Sequence, residues 1–438
     1  MNRRILHLAI PSIVSNITVP LLGLVDVTIA GHLGSPAYIG AIAVGGLLFN
    51  ILYWNFGFLR MGTSGLTSQA YGRRDEAGQA RVLVQALAVA WLSAAALLVL
   101  QYPIERLAFW LIGTSGDVER HAVAYFRICI WGAPAVLSMY CFQGWFVGMQ
   151  NSRIPMYASM VVTVVNIVCS LAFVFGLGMG VAGVAAGTAV AAWAGLAFVV
   201  AVWLHRYGRL RRLVAWRGSL QGHALRQFFA VNRDIFLRTL CLIAVTTFFT
   251  STGARQGEVI LAVNTLLMQL FTLFSYIMDG FAYAAEALAG RYVGACDLRQ
   301  LRRAVRCLFG WGAGMALAFT ALYAIGGEGF LGLLTDDGAV VRASAAYFYW
   351  VLGIPLAGFA AFLWDGILVG ATATRQMLWA MLVAAGAFFA IYYGFSAVED
   401  NHVLWCAFLV YLFLRGAMMT VWGRRVLTEE YLRRLASR

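Results

Sequence analysis

The chain has 438 residues, of which 62% are hydrophobic and 12% charged, and its mean hydropathy is +0.78. Soluble domains are about 45–50% apolar and about 25% charged, so a soluble fold is excluded. The net charge of +13 is carried by arginine alone, with no lysine, and its distribution along the chain accounts for it without a nucleic-acid partner.

The apolar segments are long continuous runs rather than alternating ten-residue strands, which predicts an all-α integral membrane protein. Twelve runs reach the about 20 residues that a membrane span needs. The first, 6–31, opens on "MNRRILHLAIPSIVSN", whose charge pattern is that of a signal peptide. It continues into a full-length span without a small-residue cleavage site, so it is read as the first helix. Inside it stands Asp26, in "PLLGLVDVTIAGHLG". An acid at membrane depth is costly and usually functional, and in apolar surroundings it suits a group that loads and unloads a proton. The plainer alternative is a hydrogen bond to a neighbouring helix. Pro20 leaves a carbonyl near Asn16 without its helical partner, so Pro20 and Gly23 are the predicted hinge.

The next five spans are 38–70, which holds Arg60, then 80–101, 121–148, 154–176 and 181–204. Their mid-span polar residues are Tyr125, Gln143, Asn166, Ser170 and Thr188. Singly, each reads as an interhelical hydrogen-bonding or packing residue; convergence on Asp26 would make them a site. These six spans predict an N-terminal lobe over 1–204, followed by a basic cytosolic linker over 205–226.

The second six spans are 227–252, 258–292, 304–325, 342–370, 376–396 and 402–423, giving a C-terminal lobe over 227–425 and a cytosolic tail over 426–438. Arg238 lies in the first of them. In "YIMDGFAYAAEALAG", Tyr276, Asp279, Tyr283 and Glu286 recur at intervals of three, four and three, on one helical face. Two carboxylates between phenol rings suit a lipophilic cation, by charge and by cation–π contact. Alternatively these acids pair with Arg60 or Arg238 and only hold helices together. Asp365, in "FLWDGILVG", fits either arrangement.

With the N-terminus in the cytosol, inward connections and tails carry twenty-three arginines, from Arg3 and Arg4 to Arg433, Arg434 and Arg438. Outward ones carry four: Arg106, Arg120, Arg255 and Arg342. This asymmetry predicts that both termini are cytosolic. The chain also repeats itself. Gly132–x–Pro134 is answered by Gly353–x–Pro355, Gly148 by Gly370, Arg153 by Arg375, and Gly72 and Asp75 by Gly294 and Asp297, with an offset of about 222 residues. Two six-span halves starting on the same side are parallel repeats, with the expected site between them near mid-depth, the organisation of an alternating-access transporter.

The seven cysteines are scattered without a CxxC pair, and none of the six histidines falls mid-span, so neither a metal nor a haem site is expected. No GxxxxGK[ST] motif is present. The chain is read as a non-enzyme without a cofactor.

The stretches "IPSIVSNITVPLLGLVDVTIAGHLG", "GFLRMGTSGLTSQAYGRRD", "DGFAYAAEALAGRYVG" and "WDGILVGATATRQM" resemble the multidrug and toxic compound extrusion (MATE) family, and within it the DNA-damage-inducible protein F (DinF) branch. The resemblance implies two six-helix lobes in a V around a cavity, a monomer in the bacterial inner membrane, and export of drugs against protons or sodium. It implies that Asp26 is the proton-responsive residue, with Tyr125, Gln143, Asn166, Ser170 and Thr188 around it. Many relatives carry a second aspartate four residues after the asparagine. This chain has Ser170 there, which favours protons over sodium, while Glu286 and Asp365 keep a sodium-coupled exporter open. The Tyr276, Asp279, Tyr283, Glu286 and Asp365 surface is the expected seat of amphipathic, cationic substrates. A lipid-linked precursor flippase is the rival reading. It calls for several mid-span basic residues, of which the sequence offers Arg60 and Arg238.

Overall fold

The computed structural model describes residues 1–33, 35–113, 116–213, 223–335, 337–395 and 400–436. Most of the basic linker's second half, with Arg217, and the terminal Arg438 lie outside these residues. The described chain is helical, and twelve of its segments are long and apolar enough to cross a membrane. Helices are what such a sequence must form, because lipid offers no partner to backbone N–H and C=O groups. The large apolar side chains on the outside, such as Leu92, Val99, Leu317 and Ile325, are suited to acyl chains rather than water.

The chain packs as two compact units, Val14–Phe229 and Ala230–Arg438, the second also containing Met1–Ile13. Helix α1 (Asn2–Gly31) thus gives its first turns to one unit and the rest to the other. The first unit continues through α2 (Pro36–Trp54), α3 (Gly57–Gly72), α4 (Glu76–Val99), α5 (Gln101–Ile112), α6 (Gly116–Cys129), α7 (Ala133–Gly148), α8 (Arg153–Leu171) and α9 (Val181–Tyr207). The second comprises α10 (His223–Arg255), α11 (Glu258–Gly294), α12 (Leu298–Leu334), α13 (Gly338–Ala345), α14 (Phe348–Gly370), α15 (Thr374–Gly394), α16 (Asn401–Gly423) and α17 (Glu429–Ala436).

Several boundaries differ from the sequence reading. The span expected over 38–70 is two helices, α2 and α3, parted at Asn55 and Phe56. The span expected from 342 begins at Phe348, because the short α13 precedes it. The connection after the third span, to which the sequence reading assigns no element, contains a helix, α5.

The repeat survives in the backbone at an offset of 222. In the first unit α3 packs on α7, and in the second α11 packs on α14. Gly144 turns its bare Cα to the carbonyl of Arg60, and Gly366 turns its own to the carbonyl of Ala282. Gly148 faces the Ser64 carbonyl and Gly370 that of Glu286, so glycines and partners alike stand 222 apart. The helix ends repeat too. Arg74 (φ 59°) and Cys296 (φ 54°) are left-handed, as are Gln150 (φ 62°) and Thr372 (φ 54°). After each of the first pair, the Asp75 and Asp297 N–H groups reach back to the Ala70 and Tyr292 carbonyls, both at 2.9 Å, which closes a Schellman turn. Each aspartate then caps the following helix, Asp75 Oδ1 accepting from the Gly78 N–H (2.8 Å) and Asp297 Oδ1 from that of Gln300 (3.0 Å).

Candidate functional site

In the first unit, α1, α8 and α9 bring three of the predicted polar residues together. Asp26 is 5% exposed. Its Oδ2 accepts a hydrogen bond from the Thr188 hydroxyl at 3.4 Å, and the Asn166 amide donates to that same Thr188 oxygen at 2.9 Å. Asn166 also lies beside the carboxylate itself. Tyr125, buried on α6, neighbours Thr188 and Cys129. The ring fits because α2 approaches it with Gly45, where a Cβ would collide with the phenol.

The remaining atoms of this pocket are under-satisfied. Asp26 Oδ1, Asn166 Oδ1 and Ser170 Oγ are buried with no hydrogen-bond donor or acceptor facing them among the described residues. Ser170 follows Asn166 by one turn of α8 and packs against Gly187 of α9, whose missing side chain lets the two helices meet. Gln143 is half-buried on α7, and the described hydrogen bonds do not link it to Asp26. Pro20 and Gly23 lie inside α1, which runs as one helix from Asn2 to Gly31.

The neighbours of Asp26 are thus a hydroxyl, an amide and a phenol. No cationic side chain pairs with it among the described residues. Desolvating a carboxylate is costly unless it is neutralised or fully hydrogen-bonded, and here one oxygen has no donor.

The second unit is organised in the opposite way. Asp365, on α14, forms ion pairs through Oδ2 with Arg238 of α10 and with Arg415 of α16, all three under 10% exposed. Asp279 on α11 interacts electrostatically with both arginines. The Arg415 guanidinium also lies 5.9 Å from the centre of the Phe362 ring. Arg415 was missed in the sequence, where "YLFLRGAMM" showed one lone charge in an apolar run. Of the predicted substrate face, Tyr276, Asp279 and Tyr283 are half-buried, while Glu286 is 1% exposed beside the seam with α14. Asp279 and Asp365 therefore share an arginine-bridged cluster, with Glu286 two turns further along α11. Among the described residues no three His, Cys, Asp or Glu side chains gather as metal ligands.

The repeat makes the contrast sharper. Residues 222 beyond Asp26 and Asn166 are Phe248 and Phe388, whose rings meet edge to face at 5.9 Å. The residue 222 before Asp365 is Gln143. Each half keeps its own charged cluster and fills the other's place with neutral side chains.

Comparison with known proteins agrees with this architecture. A family model described as MatE matches residues 11–172 and 235–393. DNA damage-inducible protein F of Escherichia coli (strain K12) is 39% identical over 425 residues, 95% of this chain and 91% of that protein. A probable multidrug resistance protein NorM of Deinococcus radiodurans is 27% identical over 328 residues, 73% of this chain and 70% of that one. Among solved structures, a MATE in the bent conformation superposes with a TM-score of 0.86 at 20% identity, covering 100% of this chain and 97% of that one. The Vibrio cholerae MATE transporter VcmN in its bent form gives 0.84 at 17%, covering 97% and 96%.

Proposed function

The chain belongs to the MatE family, and on that premise we propose that it expels amphipathic, cationic compounds in exchange for protons by alternating access. As a member it is a multidrug and toxic compound efflux transporter rather than an enzyme, and a multi-pass inner membrane protein. The proton coupling, the substrate class and the cytosolic placement of both termini are our reading.

The observation that carries the coupling is the surrounding of Asp26: a buried carboxylate touched by Thr188 and Asn166, with Oδ1 undonated and no cation beside it among the described residues. In the proposed cycle the outward-open state loads a proton on Asp26, the hydrogen bonds through Thr188 rearrange, and substrate leaves outward. Release of the proton to the cytosol resets the carrier. Of the expected substrate surface of Tyr276, Asp279, Tyr283, Glu286 and Asp365, we keep the half-buried Tyr276, Asp279 and Tyr283 as candidate contacts, because Glu286 is buried and Asp365 is held by two arginines. A lipid-linked precursor would need mid-span guanidinium groups for its phosphate, and Arg238 and Arg415 are both engaged by Asp365, so that reading stays second.

The test is drug-driven proton movement in proteoliposomes holding a pH dye, comparing wild type with Asp26→Asn, with and without sodium. Sodium-independent flux that Asp26→Asn abolishes is the expected result. Normal flux in Asp26→Asn would move the coupling group to Asp279, Glu286 or Asp365, and flux that requires sodium would replace the proton as coupling ion.

A further inference from the structure

Helix α5 is twelve residues long, about 18 Å at 1.5 Å per residue, and cannot cross a hydrocarbon core of about 30 Å. It nevertheless exposes Leu107 (58%), Trp110 (76%) and Leu111 (67%). A short helix with bare leucines on one side and charges on the other is suited to lie along the membrane surface, its apolar side toward the acyl chains. Its other side, Tyr102, Glu105, Arg106 and Phe109, follows the helical spacing three, one, three, and Trp110 stands at the border between the two sides, lining the cleft as well. Across from it stand Glu119, Val123 and Arg127 of α6, and the two faces enclose a cleft of 520 Å³. The cleft continues along α6 to Gly116 and Arg120.

The charges of this cleft divide into those already matched and those left over. Arg127 donates twice to Glu105, at 2.8 and 2.9 Å, and so ties α6 to α5. Arg120 pairs with Asp117 at 3.0 Å. Arg106, by contrast, donates through Nε and Nη2 to the Tyr102 hydroxyl, at 3.2 and 2.8 Å, and meets no carboxylate among the described residues. Glu119 lines both parts of the cleft together with Arg127, whose ion pair is with Glu105, and it forms no ion pair of its own among the described residues. One guanidinium, oriented by a phenol, and one carboxylate remain at a membrane surface.

We propose that this cleft holds the headgroup of one zwitterionic phospholipid, with its phosphate on Arg106, its primary ammonium on Glu119, and its acyl chains leaving past Trp110. Arginine offers a phosphodiester a planar fork of donors, and tryptophan suits the headgroup level. The second half does not repeat these groups. At the repeat positions 222 residues on, Glu105, Arg106, Glu119 and Arg127 give way to Gly327, Glu328, Val341 and Tyr349.

The experiment is native mass spectrometry of the full chain, delipidated in mild detergent and titrated with phosphatidylethanolamine, phosphatidylcholine or inorganic phosphate. One retained phosphatidylethanolamine per chain is expected, weakened about tenfold in Arg106→Gln, the effect of losing a charge-assisted hydrogen bond. Glu119→Gln is expected to erase the preference over phosphatidylcholine, whose quaternary ammonium has no N–H. Both side chains face the cleft rather than the core, and Arg106→Lys, which keeps the charge, is expected to fall between wild type and Arg106→Gln. Equal retention by wild type and Arg106→Gln overturns the proposal. Displacement of the lipid by inorganic phosphate assigns the site to the free anion and overturns it as well.

Discussion

Arg238 and Arg415 donate to the same oxygen of Asp365, one from α10 and one from α16. Two buried cations thus depend on one carboxylate, with Asp279 adding to its field. Removing one member of a buried ion pair typically costs about 3–5 kcal/mol, because the remaining charge is left uncompensated. Asp365→Asn removes the shared partner of two such charges at once and leaves them only the field of Asp279. Its thermal midpoint in detergent should fall further than that of Arg238→Met, which leaves the Asp365–Arg415 pair intact. Equal losses would mean that the cluster is not held through Asp365.

Gly144 and Gly366 make the same contact in the two halves, each against a backbone carbonyl that cannot swing away. A methyl group at either position forces the paired helices apart, and overpacking of this kind costs about 1–3 kcal/mol. Gly144→Ala and Gly366→Ala should therefore lower the thermal midpoint by similar amounts. Gly386→Ala is the control, since nothing lies within 4 Å of its would-be Cβ; it should be neutral or stabilising, as alanine is the better helix former.

Thr188 passes hydrogen bonding from Asn166 to Asp26. Thr188→Val keeps the shape and deletes the hydroxyl, so drug-driven proton flux should fall about fivefold, the equivalent of about 1 kcal/mol for one hydrogen bond. Drug binding, measured by fluorescence anisotropy, should stay as in wild type, and Thr188→Ser should restore the flux. A loss of binding with flux and binding falling together would make Thr188 a substrate contact instead.

How much of this was legible in the sequence depends on how local each constraint is. Span number was legible because a bilayer demands about 20 apolar residues at each crossing. The repeat was legible at Gly148 and Gly370 because a close backbone approach admits glycine alone. Between such points the halves diverged, and Asp26 is answered by Phe248. Helix α5 escaped notice because its Arg106 and Glu105 read as a polar connection, and only the contact with α6 reveals a face. Arg415 was hidden for a different reason. Its partner Asp365 lies 50 residues away and Arg238 lies 127 residues from that same acid, so the cluster exists only in the folded unit. Asp26, Asn166 and Thr188 were each legible as polar residues inside apolar spans, but their grouping rested on family resemblance, since hydropathy does not say which spans meet.

The lack of a counterpart to Asp26 in the second half has an electrical consequence. With one loading carboxylate, the proposed cycle brings in one positive charge as a proton and takes out one with a monovalent cationic drug. The exchange is then electroneutral, drawing on the pH gradient while remaining blind to membrane voltage. A neutral compound carried by the same cycle would leave the proton's charge uncompensated, and its export alone would respond to an imposed potential.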